Sequence, residues 1–209
     1  MAIVKQVNQY DAVGATTLWL PLALHGRFNP GRWKTCVDCG IDEGQYSKRY
    51  AEMFEQVIAI DGCIRDHTRE TLQDVNNVEL VEQCLWSEPG QTRTWYELKW
   101  NTFLSGIDAD DIQRVRKEWN VRPESVSSYE VITDTVDRIV DAAVDFLKID
   151  CESTDRHVLK GAEQTIAKYR PTVQIEAPTV QTDELLESHN YRKVVVAEQH
   201  FTDAVYLPT

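Results

Sequence analysis

Four acids stand at or near the ends of short apolar runs: Asp38 in TCVDCG, Asp61 in QVIAID, Asp150 in VDFLKID and Glu176 in TVQIE. An acid beside a core is costly unless a donor or a cation meets it, so several at one sheet edge point to a site. The first opens the turn Asp38-Cys39-Gly40-Ile41-Asp42-Glu43-Gly44, whose glycines let the main chain bend sharply and approach a ligand closely. The helix start after Gly44 offers free N–H groups and a positive dipole end. The turn lacks the Gly-Lys-Ser/Thr ending of a Walker A loop and the GxGxxG of a dinucleotide site. Asp61 follows about 20 residues later at the end of the next strand, where an acid can accept both hydroxyls of a ribose.

The same stretch carries Cys36 and Cys39 as a CxxC pair. No second CxxC and no HxxxH completes a tetrahedral zinc site, and the pair sits in an apolar strand rather than at a helix start. The cysteines read as small strand residues. Among the histidines, His25 and His157 are the two worth testing as bases. Lys148 reads as a packing or ion-pair residue that alternates outward from its strand.

The elements that must position these groups alternate strand and helix. TCVDC, QVIAID, NVELVEQCL, VDFLKID, TVQIE, KVVVA and DAVYL read as strands. Helices are expected from Gln45 to Glu55, with Tyr46, Tyr50 and Phe54 inward, and from Thr68 to Val75, capped by Thr68 or Asp66. Two more run from Asp155 to Lys168 and from Asp183, as cap, to Leu186. The last two strands are too close in sequence to be parallel. The order predicts an α/β fold: a Rossmann-like, seven-stranded, mostly parallel sheet with a C-terminal antiparallel hairpin and helices on both faces.

A single domain over 1–209 is expected. Residues 1–34 form an N-terminal helical extension. Residues 91–130, with Trp95, Trp100, Phe103 and Trp119, form an insertion that is either a substrate lid or a packed helical excursion. No run of about 18 apolar residues exists to span a membrane, and no apolar leader is evident. The net charge of -12 argues against nucleic acid as partner. Arg114, Arg116 and Lys117 read as a solvated helix face among acids. Five cysteines, an odd number, fit a reducing cytoplasm.

VDCGIDEGQYS, VIAID, VELVEQCLWSEPG and DFLKIDCESTDRHVLKGAEQTIAKYRPTVQIE together resemble the FkbM family of S-adenosylmethionine-dependent class I methyltransferases, over about residues 35–209. The family shows V-D-x-G-A-N-x-G in the turn, Glu-Pro after the second strand, and F-I-K-I-D-V-E-G-x-E-x-x-V-L-K-G. Here those read Ile41-Asp42 for Ala-Asn, Asp61-Gly62 for Glu-Pro, Ser153 for Gly and Asp155 for Glu. The resemblance implies that Asp38, Gly40 and Gly44 border the methionine part of the cofactor, with Asp42 and Ser47 nearby. Asp61 would hold the ribose, and Gln83, Cys84 and Leu85 would flank the adenine.

Asp150 and Glu152 would lie beside the reactive methyl. Asp150, Glu152 or Glu176 would then remove a proton from a hydroxyl acceptor, or hold a divalent cation such as magnesium that acidifies it. The expected reaction is O-methylation of a small molecule or sugar. The alternatives are a catalytically idle module of the same fold, or a protein or nucleic-acid acceptor. Oligomeric state is not legible.

Overall fold

The computed structural model describes residues 15–98, 101–107, 117, 122, 125–195 and 203–209. A π-helical turn at Ala15–Trp19 runs into α1 (Leu20–Phe28). The βα order then follows as β1 (Thr35–Cys39), α2 (Gln45–Tyr50), β2 (Gln56–Asp61), α3 (Asp66–Leu72) and β3 (Val78–Glu82). An inserted group, β4 (Cys84–Leu85), β5 (Thr92–Leu98), β6 (Asn101–Gly106) and β7 (Val126–Asp134), interrupts it. The order resumes through α4 (Val136–Ile139), β8 (Phe146–Ile149), α5 (Asp155–Lys160), α6 (Glu163–Tyr169), β9 (Thr172–Ile175) and α7 (Val180–Ser188). It ends with β10 (Tyr191–Val195) and β11 (Ala204–Pro208).

The main sheet has seven strands in the order β10-β11-β9-β8-β1-β2-β3. All neighbours are parallel except β11, which runs antiparallel to both β9 and β10. Strict alternation sorts its side chains into two buried faces. Val37, Cys39, Leu147, Ile149, Val173 and Ile175 pack with Val158, Leu159, Ile166 and Leu186 of α5, α6 and α7. Cys36, Val57, Ala59 and Phe146 pack on the other face with Leu22 of α1 and Tyr50 of α2. Cys36 and Cys39 therefore point to opposite faces, and their spacing cannot bring the thiols together.

Several local expectations need correction. The stretch NVELVEQCL is not one strand: Gln83 donates its N–H to the Asp61 carbonyl and its Nε2 to the Ile132 carbonyl, and the chain leaves the main sheet there. The helical reading of 91–130 fails for the described residues, because β5 pairs antiparallel with β6 and β7 in a second sheet of order β4-β7-β5-β6. Its run TRTWYEL is rich in Thr and aromatic residues, which suit a pleated surface better than a helix. Trp100, Trp119, Arg114 and Arg116 lie outside the described residues, as do residues 1–14.

The expected helix over 155–168 is two, broken at Gly161 and Ala162. The helix from Gln45 ends at Tyr50. Asp183 is not a cap: α7 starts at Val180 on a Thr179–Thr182 capping box. Thr68 does not cap α3 either, since its hydroxyl donates to the Asp42 carbonyl at 2.6 Å. No helix among the described residues is long and apolar enough to cross a membrane.

Candidate active site

One sheet face carries a row of polar residues at matched register, Asp38 on β1, Lys148 on β8 and Gln174 on β9. Sequence places Lys148 outward, but the π-helical turn before α1, with α2, covers that face, and Lys148 is only 3% exposed. Its Nζ lies 2.7 Å from Asp150 Oδ2 and 3.6 Å from Asp38 Oδ1. Ser47 donates to the other Asp38 oxygen at 2.6 Å. Gln174 Nε2 donates to the Thr17 carbonyl and to Asp203 Oδ2, both at 2.6 Å. Thr17 in turn shares a 2.5 Å hydrogen bond with the Tyr46 hydroxyl. An N-terminal residue is thereby tied to the carboxyl edge of the sheet.

At the next strand end, Asp61 organises the turn after β1. Its Oδ2 accepts the N–H groups of Ile41 at 2.9 Å and Asp42 at 3.3 Å, and its Oδ1 accepts that of Cys63 at 3.0 Å. Burial pushes its carboxyl up, and these N–H groups work in the opposite direction. Gly40, at φ +80°, has no room for a side chain, since a Cβ there would lie 1.6 Å from the Asp150 carbonyl oxygen. That contact sets the β1 turn directly against the end of β8.

Between these strand ends opens a cleft of about 800 Å³. This lies within the range of roughly 300–1,000 Å³ usual for small-molecule and cofactor sites. Of the expected site residues, Gly40, Asp42, Asp61, Cys84, Asp150, Glu152 and Glu176 line it, as do Gln83 and Leu85. Asp38, Gly44 and Ser47 stand behind the wall. Asp38 and Ser47 are fully buried and bonded to each other, and Gly44 caps α2 facing Leu72 and Thr68. Sequence reasoning missed Thr17, Tyr46, Arg65, Trp95, Lys148 and Asp203, which also line the cleft. Helical spacing predicts Tyr46 as core, whereas it lines the cleft.

The acids at the ends of β8 and β9 do not ionise alike. Burial raises Glu176, reinforced by its hydrogen bond to Asp150 and the charges of Asp150, Glu152 and Asp203, so its carboxyl is pushed up to about 9. Burial also acts to raise Asp150, but the Lys148 ammonium and the hydrogen bond with Glu176 overcome it and hold Asp150 low. Near neutral pH, Glu176 carries the proton and Asp150 the charge. Burial opposes the Lys148 charge, and the Asp150 and Asp38 carboxylates more than restore it.

Comparison with known proteins gives this geometry a family. The model of the methyltransferase FkbM domain matches residues 29–195. The chain belongs to the FkbM methyltransferase family. S-adenosylmethionine is the cofactor expected of that family, and the sheet order is the Rossmann-like class I fold.

Solved structures share the fold. An FkbM methyltransferase from Methylobacillus flagellatus is 19% identical with a TM-score of 0.52, over 84% of this chain and 43% of that one. This chain thus spans less than half of that protein's length. An rRNA methylase from Streptococcus thermophilus is 11% identical with a TM-score of 0.51, over 100% of both chains. A precorrin-6y C5,15-methyltransferase from Geobacter metallireducens is 12% identical with a TM-score of 0.51, over 100% of this chain and 93% of that one. No curated protein matches the sequence.

The departures from the FkbM pattern now have positions. Asp42, where the family shows Asn, has φ +44°, a left-handed conformation that both residues tolerate. Ser153, where the family shows Gly, follows Glu152 in the same region, at φ +62° after +44°. That conformation explains the family glycine and strains a serine by about 1–2 kcal/mol. The Cys151 N–H donating to Asp155 Oδ1 at 2.7 Å and Thr154 Oγ1 donating to the Cys151 carbonyl at 2.6 Å hold the loop. Asp155 is thus a positioning residue, its carboxyl pushed up to about 6 by burial.

The residues present fit S-adenosylmethionine. The three N–H groups leave the Asp61 carboxylate with acceptor capacity to spare, since it has about four lone-pair sites. Among the described residues, no three His, Cys, Asp or Glu side chains are grouped to hold a metal ion.

His25 and His157 lie outside the cleft lining. His25 is fully buried, bonded to Thr172 Oγ1 at 2.7 Å and to the Arg32 carbonyl at 2.5 Å, and burial lowers its pKa. His157 stacks on Trp86 with ring centroids 3.7 Å apart. One missed residue did leave a signal. Asp203 precedes β11, and an antiparallel strand presents its amino end at the edge where the parallel strands present their carboxyl ends.

Proposed function

We propose that this FkbM-family enzyme methylates a hydroxyl oxygen of a small molecule or carbohydrate, with Glu176 as the proton acceptor. The observation that carries the reading is the Asp150–Glu176 carboxyl pair, held by Lys148 in the same cleft as Asp61. Bound S-adenosylmethionine supplies an electrophilic sulfonium methyl. Attack of an acceptor oxygen on that carbon would displace the sulfur, and Glu176 would take the hydroxyl proton. A carboxyl pushed up to about 9 is far closer to a hydroxyl in proton affinity than an ordinary glutamate, which suits Glu176 to the task. Lys148 holds the negative charge of Asp150 in place through the transfer. Asp61 binds the nucleoside side and the Gly40–Glu43 turn borders the methionine side, an alignment that supplies much of the rate.

The test is methyl transfer from labelled S-adenosylmethionine to matched panels of hydroxylated and amino acceptors, with the product methyl located by mass spectrometry. Methylated oxygen supports the reading. Turnover confined to nitrogen or carbon acceptors would sink it.

A further inference from the structure

The inserted second sheet builds one wall of the cleft, through Trp95, Ser105, Gly106 and Ile107. Trp95 on β5 is 8% exposed, and its ring lies directly over Gly62, the residue after Asp61. A Cβ on Gly62 would sit 2.2 Å from Trp95 Cζ3 and 2.5 Å from Cη2. Any side chain at that position, including the proline the family pattern carries, would displace the indole. Arg65, at the start of α3, locks the arrangement by donating to Glu97 Oε1 and, at 3.1 Å, to Ser105 Oγ. The indole Nε1–H is buried and has no acceptor among the described residues. Cys84 and Leu85 line the same cleft.

We propose that the Trp95 indole, made possible by Gly62, forms an aromatic wall of the nucleoside subsite and sets nucleoside affinity. The inference rests on the family's cofactor. A base or ribose packed on an aromatic ring contributes on the order of tenfold or more in affinity. The inserted sheet is then part of cofactor binding, not only of acceptor choice.

Calorimetric titration of the full chain with S-adenosylhomocysteine and with 5′-methylthioadenosine tests this. Trp95→Ala is expected to weaken both about tenfold, by the same factor, because the shared part is the nucleoside. Trp95→Phe keeps both within about threefold, and Gly62→Ala weakens both while the indole remains in the chain. Wild-type affinity in folded Trp95→Ala, checked by thermal unfolding, would overturn the proposal. If Trp95→Ala does not fold, unchanged affinity in Gly62→Ala overturns it instead. Absence of binding by wild-type protein would remove the cofactor reading and the proposal together, an outcome distinct from variants that bind like wild type.

Discussion

Lys148 and Asp150, two residues apart at the end of β8, form an ion pair of 2.7 Å in which the ammonium is almost wholly enclosed. The same ammonium faces Asp38, whose carboxylate is fully buried and whose pKa burial raises despite Lys148 and Ser47. Lys148 thereby joins the charges of Asp38 on β1 and Asp150 after β8 into one arrangement.

Replacing Lys148 with Met leaves two carboxylates without their cation, one of them fully enclosed. Breaking a buried pair from one side costs about 3–5 kcal/mol, so a loss of that size is expected in urea denaturation. Adding Asp38→Asn should recover part of it. A double variant as unstable as the single one would contradict the pairing.

Glu176 makes both activity and stability depend on pH. Its folded pKa of about 9 lies above the ordinary value of 4.5, so between those limits the folded protein holds a proton that the unfolded chain has released. Stability from this group is then greatest at the acid end and falls as pH rises through the window. Activity should move the other way and climb toward pH 9 as the base ionises. Glu176→Gln should flatten the stability slope and lower kcat by about 100-fold or more. A wild-type rate independent of pH from 6 to 9 would exclude Glu176 as the base.

Asp61→Ala leaves the N–H groups of Ile41, Asp42 and Cys63 without their carboxylate. Affinity for S-adenosylhomocysteine should fall at least about tenfold by calorimetry, roughly 1.4 kcal/mol. A change under twofold would remove Asp61 from the binding site.

The Cys36 and Cys39 thiols are fully buried on opposite sheet faces, and burial pushes both well up. Burial also raises the Cys84 thiol, to about 12. A thiol reagent should leave all three unmodified in native protein and reach them only after denaturation. Rapid labelling of Cys36 and Cys39 in the native state would revive the metal or redox reading of the CxxC.

Much of the fold was legible because its signals are local. Apolar runs ending in Asp38, Asp61, Asp150 and Glu176, spaced by helix-period stretches, specify parallel strands with acids at one edge. The short link before DAVYL forces an antiparallel end. The FLKID and VLKGAE block carries the family. Five of the seven cleft-lining acids, Asp42, Asp61, Asp150, Glu152 and Glu176, are named by the strand ends, the turn and the family resemblance, and the two-sided core follows from period-two alternation.

What stayed illegible depends on which distant surface covers which face. Lys148 reads as an outward residue until the Thr17 turn and Tyr46 close over it and make it the counter-ion of Asp38 and Asp150. Glu176 is an ordinary glutamate in sequence, and only its burial beside Asp150 at the neighbouring strand end raises its proton affinity. Trp95 reads as part of either a substrate lid or a packed excursion until the second sheet lays it over Gly62. Alternation and turn chemistry act between neighbours in the chain, so the sequence by itself determined the elements and the acids at their ends. Desolvation and charge coupling act between groups that meet only after folding, so the tertiary structure alone decided which acid holds a proton and what walls the cleft.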